Sequence, residues 1–320
     1  MADPDVPRLE GCLVIANPRA GAVTEALITE VTERCARYTD VRVVRTGSRG
    51  DATRLVAMDV AAPHDGGLRV VVAMGGDGTV LEVVNGMVTG DRAADGVALL
   101  IVPAGTGNSN YRAHWGERPW QDAVDQALGA GRPAPSRLDL ARVRETGELI
   151  VLGAGAGLTA EVLSSARDIP LSGKDRLKAG LEHAAARFSP YAGRVTVDGV
   201  VVHKGDTVLA NVGGGRHRAW RYLVLPHSEL DDGLLDVCVV GADTDPGDVP
   251  ALLLGGEHVG RPGVVYATGR SVTFERTDGL PLCFEHDGEL APDAGSRRTI
   301  DVLPAALPVL CATAARPDRR

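Results

Sequence analysis

Residues 69–86 read RVVVAMGGDGTVLEVVNG. A β-branched apolar run stops at Gly75-Gly76-Asp77-Gly78-Thr79, and apolar residues resume at helical spacing from Val80 to Met87. That order is a buried strand, a tight glycine turn and a helix. Three glycines around one carboxylate admit two explanations. Either the turn needs permissive backbone, as any Asp-Gly pair does, or the backbone is bare so that an anion can approach it.

The flanking sequence repeats the pattern. Upstream, GCLVIANP is a short strand ending in a turn, Thr24 to Tyr38 has helical periodicity, DVRVVRT is a second strand and DATRLVAMDVAA a second helix. Downstream, GVALLIVPAG is a further strand, followed after a loop by a helix over about Trp120 to Leu128. Strands apolar on both sides, alternating with helices, predict a parallel sheet covered on both faces. From about Ser136 short strand-like runs are separated by Gly, Asp and Pro, which predicts an antiparallel sandwich. Val195 to His203 predicts a hairpin closed by Asp198-Gly199, the favoured type I′ pair. One helix is expected in this second part, roughly Gly173 to Phe188, with Leu177, Leu181 and Phe188 on a core-facing side. The chain of 320 residues therefore divides into a parallel α/β domain over 9–135 and a β-sandwich domain over 136–303, with the tail 304–318 returning to the first.

Composition excludes several partners. A net charge of −8 opposes a dedicated nucleic-acid binder and tight docking on an anionic membrane, leaving at most transient membrane contact. Aromatic content of 3% leaves few stacking platforms for single strands. Cys12, Cys35, Cys238, Cys283 and Cys311 are scattered without a C-x-x-C or Cys/His cluster, so free buried thiols are expected rather than zinc or disulfides. MADPDVPRLE lacks the basic and apolar regions of a signal peptide, and a cytoplasmic protein is expected. The oligomeric state stays open, a homodimer included.

Ligands of an open α/β sheet sit beyond the carboxyl ends of its strands. Four loops fall at that edge: Asn17–Gly21, Thr46–Asp51, Gly75–Thr79 and Gly105–Asn108, each combining glycine with small polar donors. Together they predict a phosphate cradle, although no GxxxxGK[ST] motif is present. GAGAGL at Gly153 lacks the GxGxxG spacing. Asp77 beside phosphates would be repulsive without a divalent cation between them, and Mg²⁺ bridges acids to phosphates. In SELDDGLLDV a hairpin turn is the default reading, with a hard-cation site of Glu229, Asp232 and the Leu234 carbonyl as the alternative. In FEHDGEL, a turn is again the default, with Glu289 just past it.

The order NPRAG, GGDGT, EVVNG, PAGTGN, LDLARV, NVGGG, DDGLLD and HDGE resembles the soluble bacterial diacylglycerol kinase family, related to sphingosine and ceramide kinases and more distantly to NAD kinase. The resemblance runs from about Leu13 to Glu289. It implies a nucleotide-binding α/β domain, a β-sandwich, and an active site between them. It further implies that Asn17, Thr46, Gly75, Gly76, Asp77, Gly78, Thr79, Val80, Leu81, Gly105, Thr106 and Asn108 hold ATP. Asp77 would organise Mg²⁺, Glu289 would be the general base, Asp139 an additional active-site acid, and Glu229, Asp232 and Leu234 a structural Mg²⁺ site. Phosphoryl transfer fits these parts, because it needs positioning and charge neutralisation more than covalent chemistry. An unperturbed glutamate is a poor base for an alcohol, yet it can take the proton late in a loose transition state.

Two departures fall toward the acceptor. Ser109 stands where the family usually has Asp, and Arg216, His217, Arg218 and Trp220 are bulky and basic after NVGGG. The leading expectation is an ATP- and Mg²⁺-dependent kinase for a hydroxyl of a lipid or lipid-like acceptor. The alternatives are a kinase of the same fold for a small hydroxylated metabolite, and a non-catalytic nucleotide- or lipid-binding regulator. Retention of both Asp77 and Glu289 opposes the last.

Overall fold

The computed structural model describes residues 7–63, 65–171, 173–219, 221–291 and 295–312. Three sequence readings lie partly outside them: the amino-terminal six residues, Trp220, and residues 313–318 of the expected tail. The chain forms two compact units, one of residues 1–138 with 305–320 and one of residues 139–304.

In the first unit four strands run parallel in the order Val41–Arg45, Leu9–Ala16, Leu68–Gly75, Val97–Pro103. Val309 adds alongside Leu99 from the strand Arg297–Val309. The neighbouring strands Leu68–Gly75 and Val97–Pro103 are buried on both faces: Val70 to Met74 and Ala98 to Leu100 have no exposed surface. That is why they read as continuous apolar runs. The helices Glu25–Cys35, Asp51–Val60, Asp77–Met87 and Trp120–Leu128 follow the strands. The first begins at Thr24, whose hydroxyl accepts the Leu27 N–H, a standard N-cap. A further helix, Ser109–Trp115, occupies what the sequence suggested was loop. Its seven residues are too few to display a period.

The second unit is an antiparallel β-sandwich. The strand Val200–Gly213 is its hub, paired with Tyr191–Val197, Ala154–Gly157 and Leu235–Gly241. Its outer half is exposed and its inner half, from Thr207 on, is buried. The expected hairpin is present: Val197 faces Val200 across Asp198 and Gly199, with φ of 47° and 83°, both positive as a type I′ turn requires. Val195, Val212, Val237, Phe274, Phe284 and Ile300 fill one core. Leu158, Ala184, Leu209, Leu225 and Val240 form a second.

Helix content here exceeds the single element expected. Gly173–Ala185 is joined by Leu158–Ala166 and Val249–Gly255. LTAEVLSSA was hidden because it starts directly after a strand at Gly157 and has only nine residues. The expected core stripe is met in part, since Phe188 packs against both cores. Leu177 and Leu181 are half-buried, Phe188 lies beyond the helix end, and Ala184 is the buried side chain. Gly180 is why the helices approach so closely: a Cβ there would lie 2.9 Å from Ala166 Cβ. No helix among the described residues is long and apolar enough to cross a membrane.

Candidate active site

The four loops meet at the carboxyl edge of the parallel sheet. Asn17 Nδ2 donates to Thr79 Oγ1 at 2.9 Å, and the Thr46 N–H to the Ala16 carbonyl at 2.9 Å. The Ala104 N–H donates to the Gly75 carbonyl at 2.8 Å. A cavity of about 160 Å³ is lined by Asn17, Thr46 and Thr79 together with Arg19, Arg49 and Glu82. Arg19 and Arg49 lie in the loops expected from sequence without being singled out there, and Glu82 was missed although it lies on the same helix as Asp77. Glu82 Oε2 accepts the Ala52 N–H at 3.2 Å, which braces the first turn of the helix Asp51–Val60 against the helix Asp77–Met87. Asp51 in turn accepts the Gly47 and Ser48 N–H groups, each at 2.9 Å. Those amides hold its carboxyl below the ordinary range.

The glycines answer to close approach rather than to unusual φ. Gly76 has φ −91°, open to any residue. A Cβ at Gly75 would lie 2.3 Å from Thr79 Oγ1, and one at Gly105 only 2.3 Å from the Gly76 Cα. Two loops therefore touch backbone to backbone, with no room for a side chain. Asn108, at φ 52°, closes the second loop by accepting the Gly105 N–H at 2.8 Å and donating to the Gly105 carbonyl at 3.0 Å. Thr106 is exposed at its tip, Gly78 is exposed, Val80 is buried and Leu81 is half-buried.

Asp77 is more constrained than its reading as a metal organiser implied. Its Oδ2 accepts the Ser109 N–H at 3.0 Å, and its Oδ1 accepts the Asn110 N–H at 2.9 Å and Asn110 Nδ2 at 3.0 Å. It ties the first turn of one helix to the first turn of the next. A carboxylate has about four acceptor positions, so three N–H donors leave room for one further partner. Oδ2 carries a single donor and faces Gly107, where a Cβ would lie 3.1 Å away. The donor set thus fits a cation held through one oxygen or through water.

In the second unit Glu289 is half-buried and opposes His286 across a two-residue turn. Two buried acids fix that turn. Asp287, at φ 48°, accepts the Val151 and Leu152 N–H groups, each at 2.8 Å. Glu285 accepts the Gly288 N–H at 3.2 Å. Burial pushes the Glu285 carboxyl up to about 7, against the nearby Arg218 charge, which lowers it. Sequence reading passed over Glu285, and its signal was a charged residue in an otherwise apolar strand position.

Asp139 stands on the strand Ser136–Val143. It is buried, and its Oδ2 accepts the Gly233 N–H at 2.6 Å while its own N–H donates to the Leu230 carbonyl at 2.7 Å. It braces the loop that carries Glu229, Asp232 and Leu234. Asp232 Oδ1 accepts the Leu234 N–H at 3.0 Å, an arrangement typical of an Asx turn. No cluster of three or more His, Cys, Asp or Glu suited to a metal occurs among the described residues. The two carboxylates and one carbonyl expected here are a smaller set. Arg216 and Arg218 are not free basic groups facing an acceptor. Arg216 Nε donates to the Ser228 carbonyl at 2.8 Å, and Arg218 donates to the Val212 and Gly215 carbonyls at 3.0 and 2.9 Å. Both hold the chain that follows NVGGG.

Residues 11–143 match the model of the diacylglycerol kinase catalytic domain, and residues 153–311 match the YegS C-terminal NAD kinase beta sandwich-like domain. A Pseudomonas syringae protein named "Probable lipid kinase YegS-like" is 30% identical over 90% of this chain and 89% of its own length. A Pseudomonas aeruginosa protein of the same name is 29% identical over 93% and 92%. The solved structure of a diacylglycerol kinase from Bacillus anthracis covers 95% of this chain and 97% of its own, with a TM-score of 0.69 at 20% identity. At that identity the likeness concerns the fold.

Proposed function

The chain belongs to the lipid kinase family that carries the diacylglycerol kinase catalytic domain, and from that premise we propose that it transfers the γ-phosphoryl group of ATP to a hydroxyl of a lipid acceptor in the cytoplasm, with Glu289 as the general base. The observation that carries the reading is the convergence of Asn17, Thr46, Thr79 and the Gly76–Gly105 contact on one sheet edge. Bare backbone and small donors there suit a chain of phosphates.

Asn17 and Thr46 line the nucleotide cavity, and the Gly76 and Gly105 backbones lie where the phosphates pass. Asp77 holds the helix start at Ser109 in position and presents its remaining acceptor to the cation. Mg²⁺, when bound, neutralises charge on the transferred group. The Glu289 carboxylate takes the acceptor proton as the new O–P bond forms and the bond to the leaving diphosphate breaks. Asp287 and Glu285 keep that carboxylate in place by fixing the turn before it. Glu229, Asp232 and Leu234 are proposed as a cation site that stiffens its loop, with Asp139 as its brace.

The test is transfer of labelled γ-phosphate from ATP to a total lipid extract and to a panel of small alcohols, with and without Mg²⁺. Transfer to lipid is expected, lost in Asp77→Ala and reduced at least about a hundredfold in Glu289→Gln. Full turnover in Glu289→Gln would remove the base assignment. Transfer to small alcohols alone would move the acceptor to a metabolite, and nucleotide binding without transfer to any acceptor would defeat the kinase reading.

A further inference from the structure

A slot in the second unit lies apart from the groups given roles above, except that it shares Glu285. Three strands run side by side there, and their register sets Asn211 and Glu285 directly opposite Gly155, one on each side. Directly paired residues point to the same sheet face, so two polar side chains flank a position that has none. A Cβ at Gly155 would lie 2.9 Å from Asn211 Oδ1, 2.9 Å from Glu285 Oε1 and 2.5 Å from Thr159 Oγ1. Thr159 stands in the first turn of the helix Leu158–Ala166 and closes the slot from that side.

The three atoms nearest that position are oxygens, an amide carbonyl, a carboxylate and a hydroxyl. Asn211 has no exposed surface, and its Oδ1 has no hydrogen-bond partner. Its amide nitrogen turns to Thr159 Oγ1 at 3.5 Å. The second Glu285 oxygen accepts the Gly288 N–H at 3.2 Å, in the turn immediately before Glu289. Arg218 gives its two Nη groups to main-chain carbonyls, and its buried Nε–H has no partner. Room for Thr159 alone would be served by apolar residues at 211 and 285. A buried amide oxygen without a donor costs stability, and a water or a ligand that supplies the donor removes that cost. A cavity of about 270 Å³ is lined by Gly157, Glu161, Leu282 and Cys283, two of which stand two residues along the strands from Gly155 and Glu285. Gly157 and Cys283 continue the same pairing, with the Gly157 N–H on the Cys283 carbonyl at 3.2 Å, so they face the same side.

We propose that Asn211, Glu285 and Thr159 around Gly155 receive a second hydrogen-bond donor of the acceptor, an O–H or N–H carried beside the hydroxyl that is phosphorylated. This rests on the kinase reading and narrows it: the preferred acceptor has a donor to spare, which a diacylglycerol lacks. A site built to bond such a group discriminates strongly against the analogue without it, because its own polar atoms are then left unpaired.

Three lipids in the same mixed micelles test it: a diacylglycerol, a monoacylglycerol and a long-chain amino alcohol. Equilibrium binding without nucleotide and kcat/KM for phosphate transfer are both read. Wild-type protein is expected to favour the monoacylglycerol or the amino alcohol over the diacylglycerol by about tenfold or more in each. Asn211→Leu should remove the preference in both readouts while leaving diacylglycerol values within about twofold, Gly155→Ala should remove it in binding, and their thermal midpoints show whether they fold. Glu285→Gln separates the sources, since it abolishes a preference for the ammonium and retains one for the hydroxyl. No preference in wild type, or one that survives both slot variants, overturns the proposal. Absence of transfer with a slot-dependent binding preference intact defeats the kinase reading and leaves the slot.

Discussion

Glu285 is the residue whose ionisation costs the fold most visibly. Its carboxyl ionises near 4.5 in the unfolded chain and near 7 in the folded one, mainly because burial penalises the charge. Between those values the folded state still holds a proton that the unfolded state has lost. Stability of the second unit therefore falls as pH rises from 4.5 to 7 and levels off above, by about 3 kcal/mol at most. His114 in the first unit runs the opposite way. Burial lowers its pKa to about 4, so that unit loses stability as pH falls from the ordinary histidine value of 6.5 toward 4. Calorimetry at several pH values should show the Glu285 slope in wild type and its disappearance in Glu285→Gln. Asp77 makes the second prediction at this scale. Asp77→Ala leaves the Ser109 and Asn110 donors without their acceptor, at a cost of about 1–3 kcal/mol. Nucleotide affinity, read by titration calorimetry, should fall with it.

At the scale of elements, two glycines make contacts that decide packing. Gly105→Ala drives a Cβ to 2.3 Å from the Gly76 Cα, and backbone cannot turn aside as a side chain can. Nucleotide binding should weaken at least about tenfold, while circular dichroism stays close to wild type. Gly180→Ala is a contest of two effects. The added methyl raises helix propensity by about 1 kcal/mol, yet it meets Ala166 Cβ at 2.9 Å and the Val162 carbonyl at 3.0 Å. Overpacking of that kind costs about 1–3 kcal/mol, so a net loss in chemical denaturation is expected. These contacts also explain what was hard to read. The helices Asp51–Val60 and Asp77–Met87 were legible because each has a full amphipathic period after a strand. Leu158–Ala166 and Ser109–Trp115 were not, because each is two turns or so and starts at a strand or loop end without a capping side chain.

For the whole molecule, the first unit is discontinuous in sequence. Ala306, Leu307, Val309 and Leu310 are buried in it, and the Leu310 N–H donates to the Leu99 carbonyl at 2.8 Å. Removing residues 305–320 should destabilise this unit selectively. Limited proteolysis is expected to cut within 7–138 first, and nucleotide binding should be lost although every residue lining the cavity remains. An unchanged digest would show that the strand end is dispensable.

The sequence by itself determined the alternation of strand and helix, the change to short strands near Ser136, and the four glycine-bearing loops. All of these follow from hydrophobic period and turn chemistry, which act over a few residues. Tertiary structure alone decided what those residues do. That Gly76 lies against Gly105, that Asp77 clamps a helix start 32 residues on, and that Asp139 braces the Gly233 loop depend on distances between separate segments. Arg216 and Arg218 became main-chain braces for the same reason. The slot around Gly155 is the clearest case, because strand register assembles it from residues 155, 211 and 285, and no local pattern records which strands will pair.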